Sequence, residues 1–205
     1  MNSSFSTRLV RLAASWTCIA TGVPMLIRAE LGLAPADVLN SGVGTATGWS
    51  FGTSFVVMAV TLYSVGLLLG GRIGWASPLG TVVIGPMINV VLGHVPEYER
   101  LAIRIPLFAL GTVVIAAGIC LAIAARFGPG PSEVVQLGLV HRGVGLVVAR
   151  WIVDGVPIVI GILLGGQIGV GTVIFLVAMG PLIKLGLKAM RFVPPMRTAQ
   201  LASSS

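Results

Sequence analysis

Charge is scarce in this chain. Of 205 residues only 9% are Asp, Glu, Lys or Arg and 56% are apolar, whereas an ordinary soluble domain carries about a quarter charged residues. That deficit excludes a conventional water-facing surface. Lysine occurs only at Lys184 and Lys188, so the G-x4-G-K phosphate loop of an ATPase cannot be built. Two histidines, His94 and His141, and two cysteines, Cys18 and Cys120, stand far apart. They offer no metal-ligand spacing, and cysteines in mid-span carry no information on redox compartment. With so few polar residues no nucleophile and base can be paired, so the expectation is of no enzyme, no metal and no cofactor.

What the chain has in place of charge is length of apolar sequence. Mean hydropathy is +1.02, and runs of about twenty apolar residues, the length a bilayer core requires, alternate with short polar breaks. We expect an all-α polytopic membrane protein forming a single membrane domain over residues 1–205. Six spans are drawn at 9–29, 51–70, 78–94, 105–125, 144–164 and 170–187. The first run is longer than the roughly 7 to 15 residues of a signal-peptide core and ends without a small-x-small cleavage pattern, so it is read as a retained span.

The formal charge of +7 does not point to nucleic acid, because the basic residues flank spans and form no patch. Arg8, Arg11, Arg72, Arg126, Arg142, Arg150, Lys184, Lys188, Arg191 and Arg197 fall on one side of the six-span drawing; Arg28, Arg100 and Arg104 fall on the other. The positive-inside rule then places both termini, and a tail at 191–205, in the cytoplasm.

A polar pattern is stated twice. "GLAPADVLNSGV" at 32–43 returns 96 residues later as "GPGPSEVVQLGL" at 128–139, with Asp37 answered by Glu133 and Asn40 by Gln136. "GLLLGGRIG" at 66–74 returns as "GILLGGQIG" at 161–169, and Gly85-Pro86 returns as Gly180-Pro181. Two pseudo-symmetric halves are expected, about 9–96 and 105–190, each of three spans and one short polar half-helix. Three spans per half make the copies enter the membrane from opposite sides, the inverted repeat of secondary transporters. The alternative is eight shorter helices in parallel repeats. It divides the basic residues ten to three as well, so charge does not choose. The polarity of "APADVLNSGVGTATG", costly against lipid, favours half-helices.

The G-L-x-P-x-D-V stretch at 32–38, "TGWSFGT" at 47–53, Arg150 with Asp154, "LLGGQIGVGT" at 163–172 and the closing Gly-Pro resemble the YczE/YyaS/YitT-type bacterial membrane proteins. The resemblance runs from Arg8 to Lys188. Where that family commonly has Pro-Trp-Asp, this chain has Pro35-Ala36-Asp37, so an aromatic anchor at the first half-helix is missing. The resemblance implies a multi-pass protein of the bacterial plasma membrane and names no substrate.

Among candidate site residues, Arg150 and Asp154 stand out. They are four apart and share a helical face, roughly 9 and 15 Å into a span drawn from residue 144 at about 1.5 Å per residue. Ionisable residues at that depth suggest a pathway, a relay or an internal pair. The first half has Phe55 and Ala59 at the matching places, so the pair acts once per molecule. Pro157 cannot donate to the carbonyl of Val153, which leaves an acceptor beside the carboxylate.

Pro35 and Pro131 suit the first helical position, and Asp37 and Glu133 follow where an acid faces the positive helix end. Asp37, Glu133, Asn40 and Gln136 are carried as further candidates for a substrate or coupling ion. Gly85, Pro86, Gly180 and Pro181 are expected to kink the third and sixth spans. Gly66 with Gly70, and Gly161 with Gly165, make small-x-x-x-small faces, which predicts that the second and fifth spans meet. The functional expectation is a small secondary transporter or permease for an unknown solute. The competing expectation is a non-transporting scaffold that binds a partner protein or lipid, and an oligomer of the same chain is compatible with either.

Overall fold

The computed structural model describes residues 4–190; the tail expected at 191–205 lies outside the described residues. Eight helices follow one another: α1 (Phe5–Ala29), α2 (Pro35–Thr47), α3 (Phe51–Leu68), α4 (Ala76–Leu92), α5 (Leu101–Ala125), α6 (Pro131–His141), α7 (Leu146–Leu163) and α8 (Val170–Ala189). Five of them, α1, α3, α5, α7 and α8, are long and apolar enough to cross a membrane, and the apolar α4 has 17 residues. At about 1.5 Å per residue α2 and α6 reach only about 20 and 16 Å, short of a hydrocarbon core of about 30 Å. The fold is that of an all-α polytopic membrane protein with two short helices set among longer ones.

The short helices begin where the sequence dictates. Pro35 and Pro131 occupy the first turn of α2 and α6, where the missing N–H has no helical partner to lose. Gly48 ends α2 at φ 74°, a left-handed conformation that glycine adopts without Cβ strain.

α1 and α5 form the centre and run antiparallel. Gly22 lies against Gly111 and Ile115, while Gly118 lies against Ser15, Cys18 and Ile19, so numbers on one helix fall as those on the other rise. An arginine closes each end of the pair. Arg8 donates to the carbonyls of Ala125 and Arg126, both at 2.9 Å. Arg104 donates to Ala29 at 2.6 Å and Glu30 at 2.9 Å. The last carbonyls of a helix have no partner within it and carry the negative end of the dipole, so each guanidinium satisfies what the neighbouring helix leaves open. Arg8 and Arg104, like Ala29 and Ala125, are 96 residues apart.

The remaining directions follow from named contacts. α4 runs with α1, since Gly80 meets Trp16 and Arg28 donates to the Leu92 carbonyl. α8 runs with α5, since Gly171 meets Phe108 and Gly186 meets Cys120. α3 returns along α4, with Gly52 against Gly85 and Asn89. The end of α1 at Glu30 and the start of α8 therefore share one end of the bundle, tied by Leu33 N–H donating to Thr172 Oγ1 at 3.1 Å. The end of α5 and the start of α4 share the other, tied by Ser77 Oγ donating to the Pro129 carbonyl at 2.7 Å. That second end also holds the N-terminus of α1 and the C-terminus of α8.

α2 and α6 consequently sit at opposite ends. α2 packs Val38 on Gly161 and Gly166 at the close of α7, and α6 packs Val134 on Gly66 and Gly71 at the close of α3. This corrects the expectation drawn from the glycine spacing: α3 and α7 do not meet through those glycines. α3 offers Gly66 to α6 and α7 offers Gly161 to α2, and α1 with α5 takes the central place. Gly70 and Gly165 lie past the helix ends at φ 92° and 80°, where they turn the chain and build no helical face.

Candidate functional site

α7 buries one narrow edge, Ala149, Val153, Pro157 and Gly161, four residues apart and so nearly in line. Arg150 and Asp154 each follow a buried residue by one position, which sets them on the flank of that edge. Arg150 Nε donates to Asp154 Oδ2 at 2.6 Å, and the two side chains are 49% and 20% exposed. The pair is formed, yet it is not sealed by a helix packed over it. Pro157, inside α7, removes the N–H that would otherwise meet the Val153 carbonyl, leaving an acceptor one residue from the carboxylate.

Residues of α3 that stand 95 positions before those of α7 are packed differently. Gly52, Val56 and Ala59 of α3 correspond, at an offset of 95, to Val147, Trp151 and Asp154 of α7. On α3 the first two of these are covered by α4, since a Cβ on Gly85 would touch Val56 and the Gly52 carbonyl, while Ala59 is buried with Tyr63 and Val134 of α6. Asn89 locks the contact by accepting from Gly52 N–H at 2.8 Å and donating to Ser50 Oγ at 2.9 Å. In the second half Gly180 replaces Gly85 with nothing within 4 Å of where its Cβ would stand. Valine stands for Gly52, and Lys184 for Asn89. α7 packs against α2 and α6 and not along α8, and Trp151 is 72% exposed. A cleft therefore lies between α7 and α8, and Arg150 and Asp154 border it.

The other sequence candidates do not converge there. Asp37 is buried in the first turn of α2 and accepts from Asn40 Nδ2 at 3.1 Å. Next to it Ser41 Oγ accepts from Gln167 N–H at 2.9 Å, and Gln167 Nε2 donates to the Ile27 carbonyl at 3.1 Å. This polar seam ties α2 to α1 and to the turn after α7. Glu133 is exposed and Gln136 half-buried, at the far end of the bundle from Asp37. The two carboxylates thus share a position in the sequence pattern and not an environment. Gly85 and Pro86 lie inside α4, and Gly180 and Pro181 inside α8. Neither pair ends its helix.

Sequence reasoning missed Asn89 and Gln167, and read Lys184 only as a topological anchor beside anionic lipid. Asn89 was open to discovery, because the offset that pairs Gly85 with Gly180 also pairs it with Lys184.

A family profile described as "Family of unknown function (DUF6198)" matches residues 6–188. The chain belongs to this family. Its relatives include an "Uncharacterized protein" of Haemophilus influenzae, 24% identical over 177 residues that cover 86% of this chain and 81% of the relative. Another is an "Uncharacterized membrane protein YczE" of Bacillus subtilis, 25% identical over 195 residues that cover 91% of this chain and 90% of the relative. The YczE-type resemblance read from the motifs accordingly stands, and with it a multi-pass membrane location. No solved structure matches the chain.

Proposed function

We propose that this protein is a small secondary transporter of the bacterial plasma membrane, made of two inverted copies of one four-helix unit, with both termini cytoplasmic. The inversion is supported by matched contacts at an offset of 95 or 96 residues. Arg8 and Arg104 close opposite ends of α1 and α5, and α2 and α6 each dock on the other half's glycine turn. The orientation is supported by charge: the end where α1 starts and α8 stops carries Arg8, Arg11, Arg72, Arg126, Arg142, Lys184 and Lys188, and the opposite end carries Arg28, Arg100 and Arg104 with Glu30, Glu97 and Glu99.

One observation carries the transport reading. An ion pair spans about 6 to 12 Å along α7, beside the face that α3 uses to meet α4, and in α7 that face is not packed against α8. Burying charge at that depth is costly, so intramembrane pairs mark pathways and couplings. A bidirectional path between the halves would use Asp154 as the titrating or cation-facing group and Arg150 as its counter-charge. The solute is a small polar or amphiphilic molecule of unspecified identity, and no catalytic chemistry is assigned.

The same open cleft supports a second reading, a non-transporting accessory protein whose partner contributes a membrane helix between α7 and α8. The two separate in reconstituted vesicles. Charge movement is recorded on solid-supported membranes while a panel of organic anions, cations and amphiphiles is applied to wild type and Asp154→Asn. The transport reading expects a current for at least one solute in wild type, reduced at least about tenfold in the variant with unchanged folding. Equal currents in both proteins would end the role of Asp154; a silent wild type that co-purifies with a stoichiometric helical partner would favour the accessory reading.

A further inference from the structure

The α7–α8 cleft has a chemistry of its own. Its wall on α8 is set by the face that in α4 meets α3. There Gly85 and Asn89 become Gly180 and Lys184, and Lys188 follows one turn later. Both lysines are exposed, and among the described residues neither has an acidic partner; Asp154 is already taken by Arg150. α7 starts and α8 stops at the same end of the bundle, so Lys184 lies toward the end of the bundle where Val147 and Arg150 stand.

Below this cationic rim the walls are apolar. Val147, Trp151, Val173 and Val177 are 62 to 72% exposed. Lys184 stands about 7 Å from the end of α8, the depth at which a lysine reaches a headgroup. Charge at the membrane surface above an apolar slot fits a molecule with an anionic head and a hydrocarbon tail.

We propose that the cleft is a binding site for an acidic phospholipid of the leaflet on the side of the termini, its phosphate held by Lys184 and Lys188 and one acyl chain seated between α7 and α8. The closed α3–α4 pair cannot hold such a chain, because Gly52, Gly85 and Asn89 fill the space. Each half therefore uses the same surface differently: one to pack, the other to admit lipid. The site stands on the cleft alone and does not require transport.

The test is lipid retention by the full chain. Protein is extracted from nanodiscs of equal phosphatidylglycerol and phosphatidylcholine, and bound lipids are counted by native mass spectrometry. Wild type is expected to retain phosphatidylglycerol in clear excess, and Lys184→Gln/Lys188→Gln to lose the excess, about fivefold per lysine. Lys184→Arg/Lys188→Arg should keep it, as should Arg72→Gln, which removes an exposed cation at the same end. Undiminished retention in the double glutamine variant would overturn the site. So would equal loss in Arg72→Gln, since the preference would then follow total charge. A cross-link through Trp151→Cys joining two copies would also overturn it, the cleft then belonging to a second chain.

Discussion

Replacing Gly161 by leucine is expected to deprive the protein of its folded state, and replacing Gly155 by leucine six residues earlier on the same helix is expected to leave it intact. At Gly161 a Cβ would stand 2.7 Å from both the carbonyl carbon and oxygen of Val38. Those are backbone atoms of a short helix already held by the Ser41–Gln167 and Gln167–Ile27 hydrogen bonds, so α2 cannot yield without leaving its seat. Overpacking of a well-filled site costs about 1 to 3 kcal/mol even where side chains can move, and here backbone must move. A loss of about 3 kcal/mol or more is expected. At Gly155 nothing lies within 4 Å, and leucine gains about 0.8 kcal/mol of helix propensity over glycine. Thermal unfolding in detergent, with recovery of monodisperse protein, reads both. Gly66→Leu should behave as Gly161→Leu, because Val134 stands over it in the same manner.

The second large effect is expected at Gly52. Valine there is the residue that α7 carries at the matching place, Val147, yet it should not be accepted. Its Cβ would be driven into the Gly85 carbonyl and the Asn89 amide, and the hydrogen bond from Gly52 N–H to Asn89 would be lost. Overpacking together with one lost hydrogen bond amounts to about 2 to 4 kcal/mol. The reverse substitution, Val147→Gly, removes an exposed side chain and should cost only the propensity difference, under about 1 kcal/mol. The inequality measures the difference between a closed helix pair and an open one at equivalent positions. Equal costs for Gly52→Val and Val147→Gly would mean that α7 and α8 are packed as α3 and α4 are.

How much of this was legible in the sequence depends on what each residue type specifies. The half-helices could be placed because Pro35 and Pro131 fix where a helix begins and the segments that follow are too polar and short to span. Span positions could be drawn because length and apolarity are all a bilayer demands. Partners were harder. A small-x-x-x-small face says that something comes close and does not say what, so Gly66 and Gly161 were expected to bring α3 and α7 together when they receive Val134 and Val38. The central α1–α5 pair was not foreseen, because apolar residues on two long helices carry no address. Arg8 and Arg104 did carry one, 96 residues apart like the polar segments, but each was counted only as a charge on one side of the membrane. Arg150 and Asp154 were foreseen as a pair. The cleft beside them was not, since an opening is written in the replacements of Gly52 by Val147 and Asn89 by Lys184 and not in any motif.

The account rests on two copies of one unit facing opposite ways across the membrane. It is tested most directly by single cysteines at Thr47, at the end of α2, and at Arg142, just after α6, both exposed, in a chain with Cys18 and Cys120 replaced by alanine. Labelling with a membrane-impermeant maleimide, in whole cells and in inverted vesicles, should reach position 47 only from outside and position 142 only from the cytoplasm. Labelling of both from the same side would place α2 and α6 at one surface and contradict the inverted arrangement.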